Sequence, residues 1–153
     1  SPEVLRYLFK TGGDLQVIDQ KNKPIQEYVL EGYRAVGLAD FKAKVSLLKE
    51  VNLDFNTSLS GENTIFHWVV KTSKLELLDE LTPIIDNIDF LNQDGLTALH
   101  LAAMTASSLE PLKKLLSLGA SKEITTTFGE SPLELALQNE KLEGFEDSLK
   151  ELL

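Results

Sequence analysis

The sequence of 153 residues contains no cysteine. Disulfide bonds, cysteine-ligated metals and thiol nucleophiles are therefore excluded, and the chain suits a reducing compartment. No apolar run approaches the roughly 18 residues needed to cross a membrane. No basic segment precedes an apolar stretch, as it would in a signal peptide. We therefore expect no membrane insertion and an intracellular, cytoplasmic location.

Positive charge is also scarce, because the net charge is −9. Residues 1–56 contain eight basic and eight acidic side chains, whereas residues 57–153 contain seven basic and sixteen acidic ones. A nucleic-acid-binding protein needs a cationic surface that releases counterions from phosphates. We therefore expect no nucleic-acid partner, and the acidic excess favours either a protein partner with a basic surface or simple solubility.

A repeated motif is the strongest feature that the sequence does contain. The segment "GLTALHLAA" (95–103) is matched by "NTIFHWVV" (63–70), by "GESPLELAL" (129–137) and, more weakly, by "KPIQEYVLEG" (23–32). The motif is anchored at positions 23, 64, 97 and 131, so the last two intervals are nearly equal and the first is longer. A near-constant step of about 33 residues predicts one supersecondary unit that is repeated along the chain.

Each copy is followed by a second apolar run with helical spacing. Thr97 lies at the predicted N-cap of one first helix, and Gly119 at the left-handed position after one second helix. Pro83 should end or kink the second helix of its unit. Polar turns, "NQDG" (92–95) and "TTFG" (126–129), precede two of the copies. The predicted unit is a turn followed by two helices.

These residues resemble ankyrin repeats, whose units carry T-P-L-H-x-A. The closest copies are Thr97-Ala98-Leu99-His100-Leu101-Ala102 and Ser131-Pro132-Leu133-Glu134-Leu135-Ala136. The resemblance implies an all-α solenoid of stacked helix-turn-helix units over residues 1–153. We expect about four repeats plus a partial N-terminal one: a partial unit 1–20, then units at about 21–56, 57–91, 92–125 and 126–153. Because the sequence starts with Ser-Pro-Glu, we also expect flanking domains in a longer parent chain.

The first complete unit departs from the repeat pattern. It has Lys23 and Gln26 where the threonine and histidine are expected. Several extra residues around "YRAVGLAD" predict a lengthened helix or loop. In the third unit, the predicted core residues are Leu99, Leu101, Ala102, Leu115 and Leu116.

The two histidines, His67 and His100, occupy the same position in successive copies of the repeat. That periodicity favours hydrogen bonds from the rings to backbone groups across the repeat over a metal pair, which would need further converging ligands. Ser107 and Ser108 lie in a predicted turn without the G-x-S-x-G pattern of a nucleophile. The acidic cluster of Glu143, Glu146 and Asp147 is predicted to be a solvated helix face. We therefore expect no catalytic, cofactor-binding or metal-binding residues.

Resemblance to ankyrin repeats implies a non-catalytic protein–protein interaction module. In that family, partners bind the turn tips and the concave face of the first helices. Carried over by repeat position, the predicted partner-binding residues are Ser60, Gly61, Asn63, Lys71, Thr72, Gln93, Asp94, Leu96, Met104, Thr105, Thr127, Phe128, Glu130, Gln138 and Asn139. Phe128 is either an exposed anchor or folded back on the neighbouring unit.

Two other functional readings remain open. The chain could be a regulatory or substrate-presenting domain of a larger enzyme, or of a secreted effector that acts in a host cell and hence in the host cytoplasm. It could also be a structural spacer between flanking domains.

Overall fold

The computed structural model describes residues 10–11, 19–21, 23–50, 59 and 63–153. The chain divides into two compact units that meet in sequence between Ile65 and Phe66. Each unit is described by itself. The predicted partner-binding residues Ser60 and Gly61 lie outside the described residues, as does the partial N-terminal repeat apart from a few residues.

Helices account for the regular structure of the described residues, which contain no β-strand. They are α1 (Ile25–Glu50), α2 (Ile65–Lys71), α3 (Leu78–Leu81), α4 (Ala98–Thr105), α5 (Glu110–Ser117), α6 (Pro132–Gln138) and α7 (Glu146–Leu152). Single 3₁₀ turns lie before α3 (Leu75–Leu77), after α3 (Thr82–Ile84) and between α6 and α7 (Glu140–Leu142). The predicted all-α class is confirmed.

The same backbone hydrogen bond precedes each first helix, and it fixes the register of the repeat. In each case the N–H of one residue donates to the carbonyl of the residue four positions later, at distances of 2.8–3.2 Å. The pairs are Asp19 with Lys23, Leu59 with Asn63, Asn92 with Leu96, and Thr126 with Glu130. Every first helix begins at the same offset from the start of its turn, and the longest interval between turns separates the first two. The exact unit bounds given above stay a prediction.

This register corrects the assignment in the first complete unit. Pro24 and Glu27, not Lys23 and Gln26, stand at the positions of Thr97 and His100, because the turn ends at Lys23 and α1 begins at Ile25. Sequence matching was wrong by one position here, since the turn lacks the glycine that marks the later turns.

The extra residues of that unit lengthen its helices. Gly37 has φ 77° and ψ 177°, so α1 consists of two helical segments, 25–36 and 38–50, joined at a kink. Only glycine adopts this left-handed φ without strain. Near the kink, Tyr33 and Phe41 make an edge-to-face ring contact with centroids 5.6 Å apart, and Phe41 is fully buried.

In the unit Phe66–Leu153, α4 packs against α5 and α6 around an aliphatic core. Thr97 caps α4 as predicted, because its hydroxyl accepts the His100 N–H at 3.2 Å. Of the predicted core residues, Leu99, Ala102 and Leu115 are fully buried, whereas Leu101 and Leu116 are only half-buried. In α5, Leu112 shares the buried face with Leu115, since they are one helical turn apart.

Two predicted helix ends are confirmed. Gly119 follows α5 with φ 96°, the left-handed conformation that closes a helix. Helix α3 ends at Leu81, and Pro83 lies in the 3₁₀ turn that follows. The Thr82 hydroxyl supports this end by donating to the Leu78 carbonyl at 2.6 Å.

Candidate partner-binding surface

The turns that start at Asn92 and Thr126 are organised by the side chain of their first residue. Asn92 Oδ1 accepts the N–H groups of the third and fifth turn residues, each at 3.0 Å. Thr126 Oγ1 accepts the equivalent N–H groups at 3.2 and 3.3 Å. The fourth residue, Gly95 or Gly129, has φ 72° or 82°. The two turns therefore share one conformation and hold their tip residues in place.

A groove of about 300 Å³ lies between these two turns and the first helices behind them. Its lining residues are Asp94, Leu96, Met104, Thr126, Thr127, Phe128, Glu130 and Leu135. All of them except Thr126 and Leu135 were predicted as partner-binding residues from their repeat positions. Six residues that were predicted to bind a partner, and that are dispersed in the sequence, therefore line one groove.

Apolar side chains dominate this groove. Phe128 is 89% exposed, so the ring does not fold back on the neighbouring repeat, whereas its role as a binding anchor stays a prediction. Met104 is 44% exposed on α4, and Leu135 is buried beneath. The only charged lining residues are Asp94 and Glu130, both acidic. The arrangement offers an apolar patch beside two carboxylates.

Thr126 and Leu135 were missed by the sequence analysis. Both could have been found by applying the repeat step, because Thr126 is the turn equivalent of Asn92 and Leu135 is the first-helix equivalent of Leu101. The sequence analysis assigned Leu135 only to the repeat motif, although a residue of a first helix can contribute to both the core and the groove.

The other predicted residues lie around the groove or away from it. Lys71 and Thr105 border a second cavity of about 320 Å³, near the C-terminal ends of α2 and α4. The hydroxyls of Thr72 and Thr105 donate to carbonyls of their own helices, at 2.8 and 2.7 Å. Gln93 and Gln138 are exposed, at a turn tip and at the end of α6. Asn63 belongs to the other compact unit.

Asn139 makes hydrogen bonds that stabilise the fold, and its part in partner binding stays a prediction. Its amide nitrogen donates to the carbonyls of Ala103 and Ala106, both at 2.9 Å. Its amide oxygen accepts the Lys141 N–H at 3.1 Å. Because its amide nitrogen donates to both carbonyls, Asn139 connects the fourth repeat to the end of α4.

The rings of both histidines lie within hydrogen-bond distance of backbone groups across the repeat, as predicted. His100 Nε2 donates to the Ile124 carbonyl at 2.9 Å, while Nδ1 accepts the Thr97 N–H at 3.1 Å. These partners define the neutral ring with its proton on Nε2. His67 Nε2 lies 2.7 Å from the Leu96 carbonyl.

Burial lowers the pKa of both histidines, although their backbone hydrogen bonds partly oppose it. Both are therefore neutral near pH 7. Within the described part of the chain, no three His, Asp or Glu side chains converge in a way that could hold a metal ion.

The acidic residues near the C-terminal helix are exposed to solvent. Glu143 lies in the turn before α7 and not on a helix as expected, while Glu146 and Asp147 occupy the first turn of α7. The Gly144 N–H donates to Glu146 at 2.9 Å and holds the pKa of that carboxyl below its usual value. A lowered pKa makes a carboxylate a weaker base, so this cluster does not resemble a general acid–base pair.

No helix among the described residues has the length and apolar character that a membrane span requires. No curated protein matches the chain. The family model of ankyrin repeats, which comprises three copies, matches residues 66–153, more than half of the sequence. Those residues contain the turns, the capped helices and the histidine bridges described above. The chain therefore belongs to the ankyrin-repeat family.

Proposed function

We propose that the chain binds a protein partner through the groove, the exposed turn-tip residue Gln93 and the exposed Gln138 at the end of α6. Ankyrin repeats are generally protein–protein interaction modules. The observation that carries the proposal is the position of Phe128, an aromatic ring held 89% exposed at a rigid turn tip beside other apolar side chains. Exposed aromatic anchors in such positions are typical binding hot spots.

The chemistry of the described residues supports binding more than catalysis. Ankyrin repeats are typically non-catalytic. Both histidines are neutral, buried and engaged with backbone groups. Among the hydroxyls that line the groove, that of Thr126 accepts the N–H groups of Phe128 and Glu130 and donates to the Glu130 carboxylate at 3.4 Å, so it serves to organise the turn. We extend the proposal to an intracellular partner, since a chain without cysteine suits a reducing compartment.

The test begins with affinity capture of a partner by the whole chain, followed by binding measurements with both purified proteins. Phe128→Ala and Gln93→Ala should weaken binding, the former by about tenfold or more, equivalent to about 1.4 kcal/mol. Lys113→Ala, an exposed change on α5, is the control for the second-helix face and should leave the dissociation constant within about twofold.

The opposite pattern contradicts the proposal. If Lys113→Ala weakens binding while changes at Phe128 and Gln93 do not, the partner binds the second-helix face. If the purified chain turns over a substrate and one substitution abolishes that turnover, the proposal that the chain binds without catalysing a reaction is contradicted.

A further inference from the structure

The size of the groove limits what it can hold. At about 300 Å³ it lies at the lower end of the range of ligand pockets, which is roughly 300–1,000 Å³. Its apolar lining residues are Leu96, Met104, Phe128 and Leu135. A space of this size and chemistry fits one bulky apolar side chain from a larger molecule better than it fits an extended small ligand.

The charges beside the groove favour a cationic occupant. Asp94 lies on one turn and Glu130 on the next, and no basic residue lines the groove. The surrounding residues 57–153 contain sixteen acidic and seven basic side chains, so the field around the groove is also negative. The same field disfavours a second copy of this chain, whose net charge is −9.

We propose that the groove binds a peptide segment of a partner in which one bulky apolar side chain stands next to a lysine or arginine. The apolar side chain enters between Phe128 and Met104, and the cationic group lies against Asp94 and Glu130. This inference rests on the proposed function and specifies the chemistry of its partner.

The two kinds of contact should act on different rate constants. Removing the aromatic anchor leaves the apolar side chain partly exposed, so the complex should dissociate faster. Exposed carboxylates attract a cationic segment over a distance but are screened by salt, so they should affect mainly the association rate.

A random-peptide display library, selected on the whole chain at low salt, tests the inference without a known partner. The enriched peptides should combine Leu, Met, Phe or Trp with a neighbouring Lys or Arg. A consensus that is acidic, or that lacks a bulky apolar residue, overturns the proposal, as does a selection in which no peptide is enriched.

Variants of the chain then place the enriched peptides on the surface. Phe128→Ala should raise the dissociation rate by about tenfold or more, whereas Phe145→Ala, which removes a 41% exposed ring outside the groove, should change it less than about twofold. Asp94→Asn combined with Glu130→Gln should slow association several-fold at low salt and much less at high salt. The control pair Asp147→Asn and Glu151→Gln removes the same charge from α7, and it should have a smaller effect.

Three outcomes separate this inference from the function on which it rests. If peptide binding is lost in Gln93→Ala and Gln138→Ala but not in Phe128→Ala, the groove is not the peptide site, whereas the proposal that the chain binds a protein partner still holds. Association that is equally slow in both charge variants overturns the role of Asp94 and Glu130. Self-association of the chain that disappears in Phe128→Ala shows that a second copy, not a basic peptide, is the occupant.

Discussion

Replacing His100 with alanine tests most sharply how much its buried hydrogen bonds stabilise the repeat. The substitution removes the donation from Nε2 to the Ile124 carbonyl, and it removes Nδ1 as the acceptor for the N–H and the hydroxyl of Thr97. His100 and Thr97 are both fully buried, so water cannot replace the ring at the Thr97 N–H. Ile124 is half-buried, and its carbonyl can recover a water molecule more readily.

The expected loss follows from this difference in exposure. A buried donor left without a partner costs about 1–3 kcal/mol, and an ordinary hydrogen bond contributes about 1 kcal/mol. We therefore expect His100→Ala to lower the free energy of unfolding by about 2–4 kcal/mol. His100→Gln should lose only about half as much, because glutamine at this position can still accept the N-cap N–H in a capping box.

Urea unfolding followed by circular dichroism measures these losses, with coincident fluorescence of Trp68 as the check for a single cooperative transition. Glu134→Ala at the equivalent, exposed position of the next repeat is the matched control and should cost less than His100→Ala. A loss below about 0.5 kcal/mol for His100→Ala refutes the reasoning, since that is the range of neutral surface changes.

Three further predictions concern pH, the fourth repeat and the turns. Burial holds the pKa of both histidines below the ordinary 6.5, so the unfolded chain binds more protons than the folded chain at acidic pH. The free energy of unfolding should therefore be level above about pH 6.5 and fall below it. A curve that stays level to about pH 5, or an equal fall in the double His→Gln variant, contradicts this expectation. Asn139→Ala should lower the free energy of unfolding by about 1–3 kcal/mol in urea titrations, through loss of its two carbonyl partners, and a neutral result is against its structural role. Gly129→Ala should lower the free energy of unfolding by about 1–2 kcal/mol because of the left-handed φ alone. Gly95→Ala should lower it more, because the new Cβ would lie 3.1 Å from Thr127 Cγ2. Equal melting temperatures for the two variants would contradict that contact.

The parts of the fold that repeat were predictable from the sequence. The step between motifs identified the capped first helices, and the shared position of His67 and His100 predicted hydrogen bonds to backbone groups across the repeat. Both predictions depend on local spacing, and local spacing sets the N-cap and the first helical turn. The same repeat step also predicted most of the residues that line the groove, because equivalent positions in successive turns lie side by side when repeats stack.

The features that differ between repeats were not predictable in this way. Asn139 was assigned to the partner surface by position, but its amide is used by the carbonyls at the end of α4, a contact that depends on the three-dimensional approach of two repeats. In the first complete unit the sequence match was displaced by one position because the turn lacks the usual glycine. The Asp19 side chain nevertheless accepts the N–H groups of Lys21 and Lys23, at 2.7 and 2.9 Å, as Asn92 and Thr126 do in the later turns. The binding roles of the groove residues stay a prediction.

The most direct test of the central claim is a map of amide chemical-shift changes in the isotopically labelled chain when the captured and purified partner is added. We expect the largest chemical-shift changes at residues 93–96, at Met104 and at residues 127–130, and weaker changes at Gln138. We also expect that the exposed face of α5 around Lys113 stays unchanged. Large changes confined to α5 and α7, with the two turn tips unaffected, would contradict the claim that this groove is the binding site.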